Sequence, residues 1–214
     1  MSALPVFWSF RRCPYAMRAR LALVRSGVQV ELREILLRDK PDAFLRDSRS
    51  GTVPCLRTDG QIIDESLDIM IWALKQNDTY GLLKMPQQGW DLIAENDGPF
   101  KAALDRTKYP TRFDGIDASV EREKASMFLK GLDARLSGQD FLFGDVPTIA
   151  DDAVLPFIRQ FAHIDREWFD AQDWPNLISW LDQFLASHLF SASMQKYPLW
   201  SEGDAQVMLK AQVV

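Results

Sequence analysis

The sequence predicts an α/β domain followed by an all-α domain. Three observations carry this. Residues 1–78 alternate short apolar runs with helical stripes, residues 79–89 are polar and broken by Gly81, Pro86 and Gly89, and from residue 90 onward only helical periodicity recurs. The expected organisation is therefore a first domain over 1–78, a linker over 79–89 and a helical bundle over 90–214.

Val6 to Phe10 is a short apolar run that reads as a strand, and Tyr15 to Ser26 as a helix with Met17, Leu21 and Val24 on one face. Gly27 supplies its stop. Val28, Val30 and Leu32 then alternate with Gln29, Glu31 and Arg33, as in a strand with two different faces. A short helix fits Asp42 to Asp47. Val53 to Arg57 is the next strand, Asp59-Gly60 a hairpin turn, and Ile62-Ile63 the return. Ser66 caps a helix bearing Leu67, Met70, Ile71 and Leu74 at i, i+3, i+4, i+7. A right-handed crossover makes the first two strands parallel, and the hairpin adds an antiparallel pair.

In the second part, Trp90 and Ile93 open a helix, with a break at Gly98-Pro99 before Phe100 to Lys108. Ala125, Phe128, Leu129, Leu132 and Leu136 form a further stripe. Thr148 to His163 is helical with Pro156 inside it. Pro175 stands where a first-turn proline belongs, ahead of Ile178, Leu181 and Leu185. The tail from Ser201 reads as weakly helical.

With 47% apolar residues in 214, the chain can bury a full core, and a net charge of −5 argues against nucleic acid or an anionic membrane as the main partner. No apolar run approaches the ~20 residues of a membrane span, and the start, Met1-Ser2-Ala3-Leu4-Pro5, does not resemble a signal peptide. Two cysteines make no disulfide framework, so a reducing cytoplasm is expected. No His/Cys/Asp cluster has ligand spacing, and no metal is expected. His163 and His188 lie near helix ends, which explains them better than catalysis does.

The chemistry centres on Phe10-Arg11-Arg12-Cys13-Pro14-Tyr15-Ala16. A strand ends and a helix begins at Cys13, where backbone N–H groups and the helix dipole favour negative charge. A thiol so placed ionises readily, and the thiolate is the nucleophile. Arg11 and Arg12 act in the same sense. A solitary cysteine is usually a small buried hydrophobe, but this setting points the other way. Ala16 stands where a Cys-x-x-Cys pair has its second thiol, so a mixed disulfide on Cys13 must be resolved by an external thiol.

This pattern resembles the cytosolic glutathione transferase superfamily across nearly the whole chain. Cys13-Pro14-Tyr15-Ala16 looks like the motif of its cysteine-type, omega-like classes. The resemblance implies a thioredoxin-like first domain that binds glutathione and a helical second domain that forms the second-substrate pocket. Thr52-Val53-Pro54 resembles the segment whose proline is cis and whose preceding residue presents its backbone to glutathione. Glu65-Ser66 resembles the γ-glutamyl corner, with Ser66 at a helix start meeting the carboxylate and Glu65 the ammonium. Lys40 resembles the lysine that holds the glycyl carboxylate. Thr148-Ile149-Ala150-Asp151 resembles the family's helix-nucleating box, a folding signal.

The resemblance implies a glutathione-dependent thiol transferase or reductase with Cys13 as nucleophile and Lys40, Val53, Pro54, Glu65 and Ser66 as the glutathione site. Glutathione is the co-substrate, a small-molecule or protein mixed disulfide the second substrate, and a homodimer the expected assembly. Two alternatives stand beside this: conjugation of glutathione to electrophiles, and a binding protein with no enzymatic activity. Cys55, by strand alternation, is expected in the core. The aromatic residues Trp90, Phe100, Tyr109 and Phe113 are expected mainly to pack, although by resemblance this region walls the second-substrate pocket.

Overall fold

The computed structural model of the chain describes residues 4–210. Two compact units form. One holds the residues up to Tyr80 together with those from Ala186 on, and the other runs over Gly81–Leu185.

In the first unit, β1 (Val6–Ser9), α1 (Pro14–Ser26), β2 (Glu31–Glu34), α2 (Asp42–Asp47), β3 (Cys55–Thr58), β4 (Gln61–Ile63) and α3 (Ser66–Gln76) follow one another. The strands form one sheet in the order β2-β1-β3-β4. β1 and β2 are parallel, while β1–β3 and β3–β4 are antiparallel. This is the crossover-plus-hairpin topology expected from the sequence. α1 and α3 pack against each other, and Gly27 ends α1 in the left-handed region at φ 68°. Val6, Trp8, Ile35, Phe44, Val53 and Cys55 form a buried cluster in this unit. Trp8 and Phe44 meet edge-on at 5.6 Å, and the Trp8 indole N–H donates to Asp47 at 2.8 Å.

The C-terminal segment departs from the sequence reading. Residues grouped there with the helical bundle belong instead to the first unit. After α10 (His188–Ser193) the chain is irregular, not helical, with isolated bridges at Leu199 and Met208. It runs beside β2, where Trp200 N–H donates to Glu34 O (2.8 Å), Leu32 N–H to Val207 O (2.7 Å) and Leu209 N–H to Val30 O (3.1 Å). The physical reason is the sheet order. β2 is an edge strand with unpaired backbone groups, and the tail satisfies them. Trp200 anchors it, 4.9 Å from Trp8, with the Arg33 guanidinium over both rings.

The second unit is helical: α4 (Gln87–Glu95), α5 (Lys101–Lys108), α6 (Ala118–Arg135), α7 (Ile149–Ala162), α8 (Arg166–Asp170) and α9 (Pro175–Ala186), whose last residue falls across the division. The expected break at Gly98-Pro99 is a π turn over Asn96–Phe100 that joins α4 to α5. A proline that cannot donate is absorbed there without ending the helix. Phe100 stacks on Phe128 at 4.7 Å and is buried, so it is a core residue. The box at the start of α7 forms: Asp151 accepts from Thr148 N–H (2.8 Å), the Thr148 hydroxyl (3.0 Å) and Leu142 N–H (2.9 Å). No helix among the described residues is long and apolar enough to cross a membrane.

Candidate active site

The loop from β1 to α1 is a tight turn. Phe10 ends the apolar run, and the Cys13 N–H donates back to the Phe10 carbonyl at 2.9 Å. Cys13 is the N-cap of α1, with extended backbone at φ −77° and ψ 125°, and Pro14 follows at the first helical position. The Cys13 carbonyl accepts the first helical bond, from Met17 N–H at 2.9 Å, but its side chain caps nothing. The sulfur is thus left at the positive end of the helix without being used to build it. Cys13 is half-buried, packs partly against the Trp8–Val53 cluster, and has its Sγ 3.7 Å from the Val53 carbonyl oxygen.

Val53 lies just before β3, and its bond to Pro54 is cis. Among the described residues no acceptor takes a bond from the Val53 N–H. The segment leading to it is braced by Asp64, a residue that no sequence motif singled out. Asp64 accepts from the Ser48 hydroxyl (2.8 Å), Arg49 N–H (2.9 Å) and Ser50 N–H (3.2 Å), and the Ser48 hydroxyl also donates to Thr52 O at 3.3 Å. Asp64 immediately precedes Glu65-Ser66, so one carboxylate ties the Val53 segment to the start of α3. Glu65 is exposed at the N-cap, and Ser66 is the buried first residue of the helix. The Arg18 guanidinium, reaching from α1, contacts the Ser66 hydroxyl at 3.5 Å. Arg18 is itself buried and carries positive charge to this corner.

Cys13, Val53, Pro54 and Ser66 are thereby connected through short links, and Glu65 borders them. Lys40 differs. It is exposed in the loop before α2, and no hydrogen bond or ion pair among the described residues joins it to the others. The two arginines ahead of Cys13 also divide. Arg12 is exposed with its guanidinium over the Phe10 ring at 5.2 Å, and Arg11 donates to the Met194 carbonyl at 3.4 Å.

Cys55 is fully buried beside Val53 in the same cluster, as strand alternation implied for a core residue. Burial pushes its thiol well above the ordinary value, and Asp64 adds to the effect by hydrogen bond and charge. The two cysteines of this unit thus differ in exposure, Cys13 half-buried and Cys55 buried. His163 stands at the C-terminal end of α7 and His188 at the start of α10, both exposed.

Family models for the glutathione S-transferase N-terminal domain and the glutathione S-transferase C-terminal domain match residues 7–79 and 101–183. The chain belongs to the glutathione S-transferase superfamily. It is similar to mouse glutathione S-transferase omega-1, at 25% identity over 201 residues, covering 86% of this chain and 80% of the mouse protein. A probable glutathione transferase from Aplysia californica is 40% identical over 57 residues, which span 27% of this chain and 62% of that one. Among solved structures, a Pseudomonas fluorescens glutathione transferase family member with two glutathione bound aligns with a TM-score of 0.76 at 18% identity, covering 89% of this chain and 92% of that one. Glutathione transferase Omega 3C from Trametes versicolor aligns at 0.72 and 15%, covering 91% and 85%. These likenesses establish the shared fold, a thioredoxin-like sheet domain and a helical domain.

Proposed function

We propose that this glutathione transferase is a glutathione-dependent thiol transferase or reductase acting through a Cys13–glutathione mixed disulfide. One observation carries the reading: the Cys13 sulfur sits at the N-terminus of α1, 3.7 Å from Val53 O, with Ala16 where a resolving cysteine would be. The likeness to omega-1 transferases supports it.

In the first step the Cys13 thiolate attacks the glutathionyl sulfur of a mixed disulfide. The Cys13–glutathione S–S bond forms, the old S–S bond breaks, and the substrate thiolate leaves and takes a proton from solvent. A second glutathione thiolate then attacks the glutathionyl sulfur. Oxidised glutathione departs, and Cys13 returns as thiolate. Electrons balance: two glutathione equivalents leave as one disulfide, and the substrate is reduced to its thiol.

Glutathione would lie with its cysteinyl backbone paired to Val53, ahead of Pro54, like an added strand. Its γ-glutamyl carboxylate would meet Ser66 and the first N–H groups of α3, with the Arg18 charge behind. Glu65 would take the ammonium, and Lys40 the glycyl carboxylate once its side chain swings in. A homodimer and a cytoplasmic setting accord with this activity.

The test is Cys13→Ala assayed on a glutathione mixed disulfide and, in parallel, on an aryl halide. Loss of the first activity with glutathione binding retained is expected. Full mixed-disulfide turnover in that variant refutes the nucleophile, and an aryl-halide activity that survives as the dominant one would favour conjugation.

A further inference from the structure

Behind the Cys13 turn lies an ion pair that the chemistry above does not use. Arg20, on α1 seven residues past Cys13, is fully buried, and its guanidinium is salt-bridged to the Glu34 carboxylate at the end of β2. Burial pulls the guanidinium down and pushes the carboxyl up from their ordinary values, and each is opposed by the other's charge. A buried pair of this kind gives little net stability compared with apolar residues of the same volume. Its geometry is more informative than its energy.

Each partner has a second task. The other Glu34 oxygen, Oε1, accepts the backbone N–H of Arg11 at 2.6 Å. Arg11 is the first central residue of the Phe10–Cys13 turn, the turn closed by Cys13 N–H to Phe10 O. The remaining guanidinium nitrogens of Arg20 bind the Ser9 hydroxyl at 2.9 Å, the Ser193 carbonyl at 3.2 Å and the Gln195 carbonyl at 3.5 Å. One charged group thus fastens the end of β1, the end of β2 and the end of α10, and through Glu34 it fastens the turn that carries the nucleophile.

We propose that Arg20 and Glu34 are a positioning pair for Cys13: Arg20 fixes the Glu34 carboxylate, and Glu34 holds the Arg11 N–H so that the turn delivers the sulfur to the N-terminus of α1. The proposal rests on Cys13 being the nucleophile. A turn whose central N–H is tethered to a charged acceptor has little freedom to swing, and ångström-scale misplacement of a reacting group is enough to slow a reaction markedly. The α10 end becomes the second anchor of the same lock, because its last carbonyls have Arg20 as donor.

The test reads Cys13 directly, by the second-order rate of alkylation with iodoacetamide and by kcat and KM for glutathione, with near-UV circular dichroism to score folding. Glu34→Ala is expected to lower both the alkylation rate and kcat about tenfold with KM changed less than twofold. Glu34→Gln, which keeps an oxygen for the Arg11 N–H, is expected to recover most of the alkylation rate. Should either Glu34 variant fail to fold, Arg11→Pro deletes the N–H while leaving the ion pair in place. Its alkylation rate is expected to fall about tenfold below that of Arg11→Ala, which keeps the N–H. Equal alkylation rates for Arg11→Pro and Arg11→Ala, or a Glu34→Ala protein that alkylates at the parental rate despite reduced stability, would overturn the proposal. Alkylation is independent of turnover, so failure of the nucleophile reading shows up separately, as activity in Cys13→Ala.

Discussion

Limited alkylation of the native protein tests the assignment of the two cysteines. Cys13 is half-buried at a helix N-terminus, while Cys55 is fully buried in β3, directly opposite Trp8 in the register with β1. Reagent can reach Cys55 only when the sheet opens. Opening a central strand of a stable domain costs at least about 5 kcal/mol, and each 1.4 kcal/mol is a factor of ten. Cys55 is therefore expected to react at least several thousand-fold more slowly than an accessible thiol. Its raised pKa slows it further, because the thiolate is the reactive form. Iodoacetamide under native conditions, followed by intact mass and peptide mapping, should give one adduct, on Cys13. A second adduct, on Cys55, should appear only in denaturing urea. Labelling of both at similar rates, or an unlabelled Cys13, would refute the reasoning that separates a reactive sulfur from a structural one in the same hydrophobic cluster.

Other expectations follow from single sites. Ser66→Ala should raise the KM for glutathione roughly tenfold, the worth of a hydrogen bond to a charged group, with kcat little changed; an unchanged KM removes Ser66 from the site. Asp151→Ala should cost about 2 kcal/mol at neutral pH in urea unfolding. Two buried N–H donors, of Leu142 and Thr148, lose their acceptor, and relief of a buried charge offsets part of that loss. The Asp151 carboxyl is pushed up to about 6 from 3.8, chiefly by burial. The folded chain then keeps a proton that the unfolded chain releases. This contribution of about 3 kcal/mol is complete below about pH 4 and lost as pH rises through about 6. The difference in unfolding free energy between the parent protein and Asp151→Ala should shrink as pH rises across that range, and a pH-independent difference refutes the linkage. Trp200→Ala should cost about 2 kcal/mol and loosen the tail from β2, read as faster amide exchange at Leu32 and Leu209; unchanged protection there contradicts the anchor.

The local code explains why so much of the first unit could be read along the chain. The apolar run, Pro14 and Gly27 bracket α1, Asp59-Gly60 closes the hairpin, and alternation puts Cys55 inside; each is a short-range signal confined to a few residues. The Cys13, Val53-Pro54 and Glu65-Ser66 motifs were legible for the same reason, because each sits at an element boundary where residue type and backbone geometry are coupled. Lys40 lies in a loop with no such coupling, and its exposed position in the structure leaves it apart from the others.

What tertiary structure alone decided involves partners distant in sequence. The tail from Leu199 to Leu209 has no strand pattern of its own and is held in place because β2 offers an unpaired edge. Asp64 becomes the brace of the Val53 segment when the hairpin brings it back to Ser48 and Ser50. Arg18 and Arg20 belong to no motif of the sequence, yet one turns to Ser66 and the other is buried against Glu34. A sequence window shows which side chains can carry charge. Only the folded chain removes water from around that charge, and desolvation forces it to find a partner across the fold.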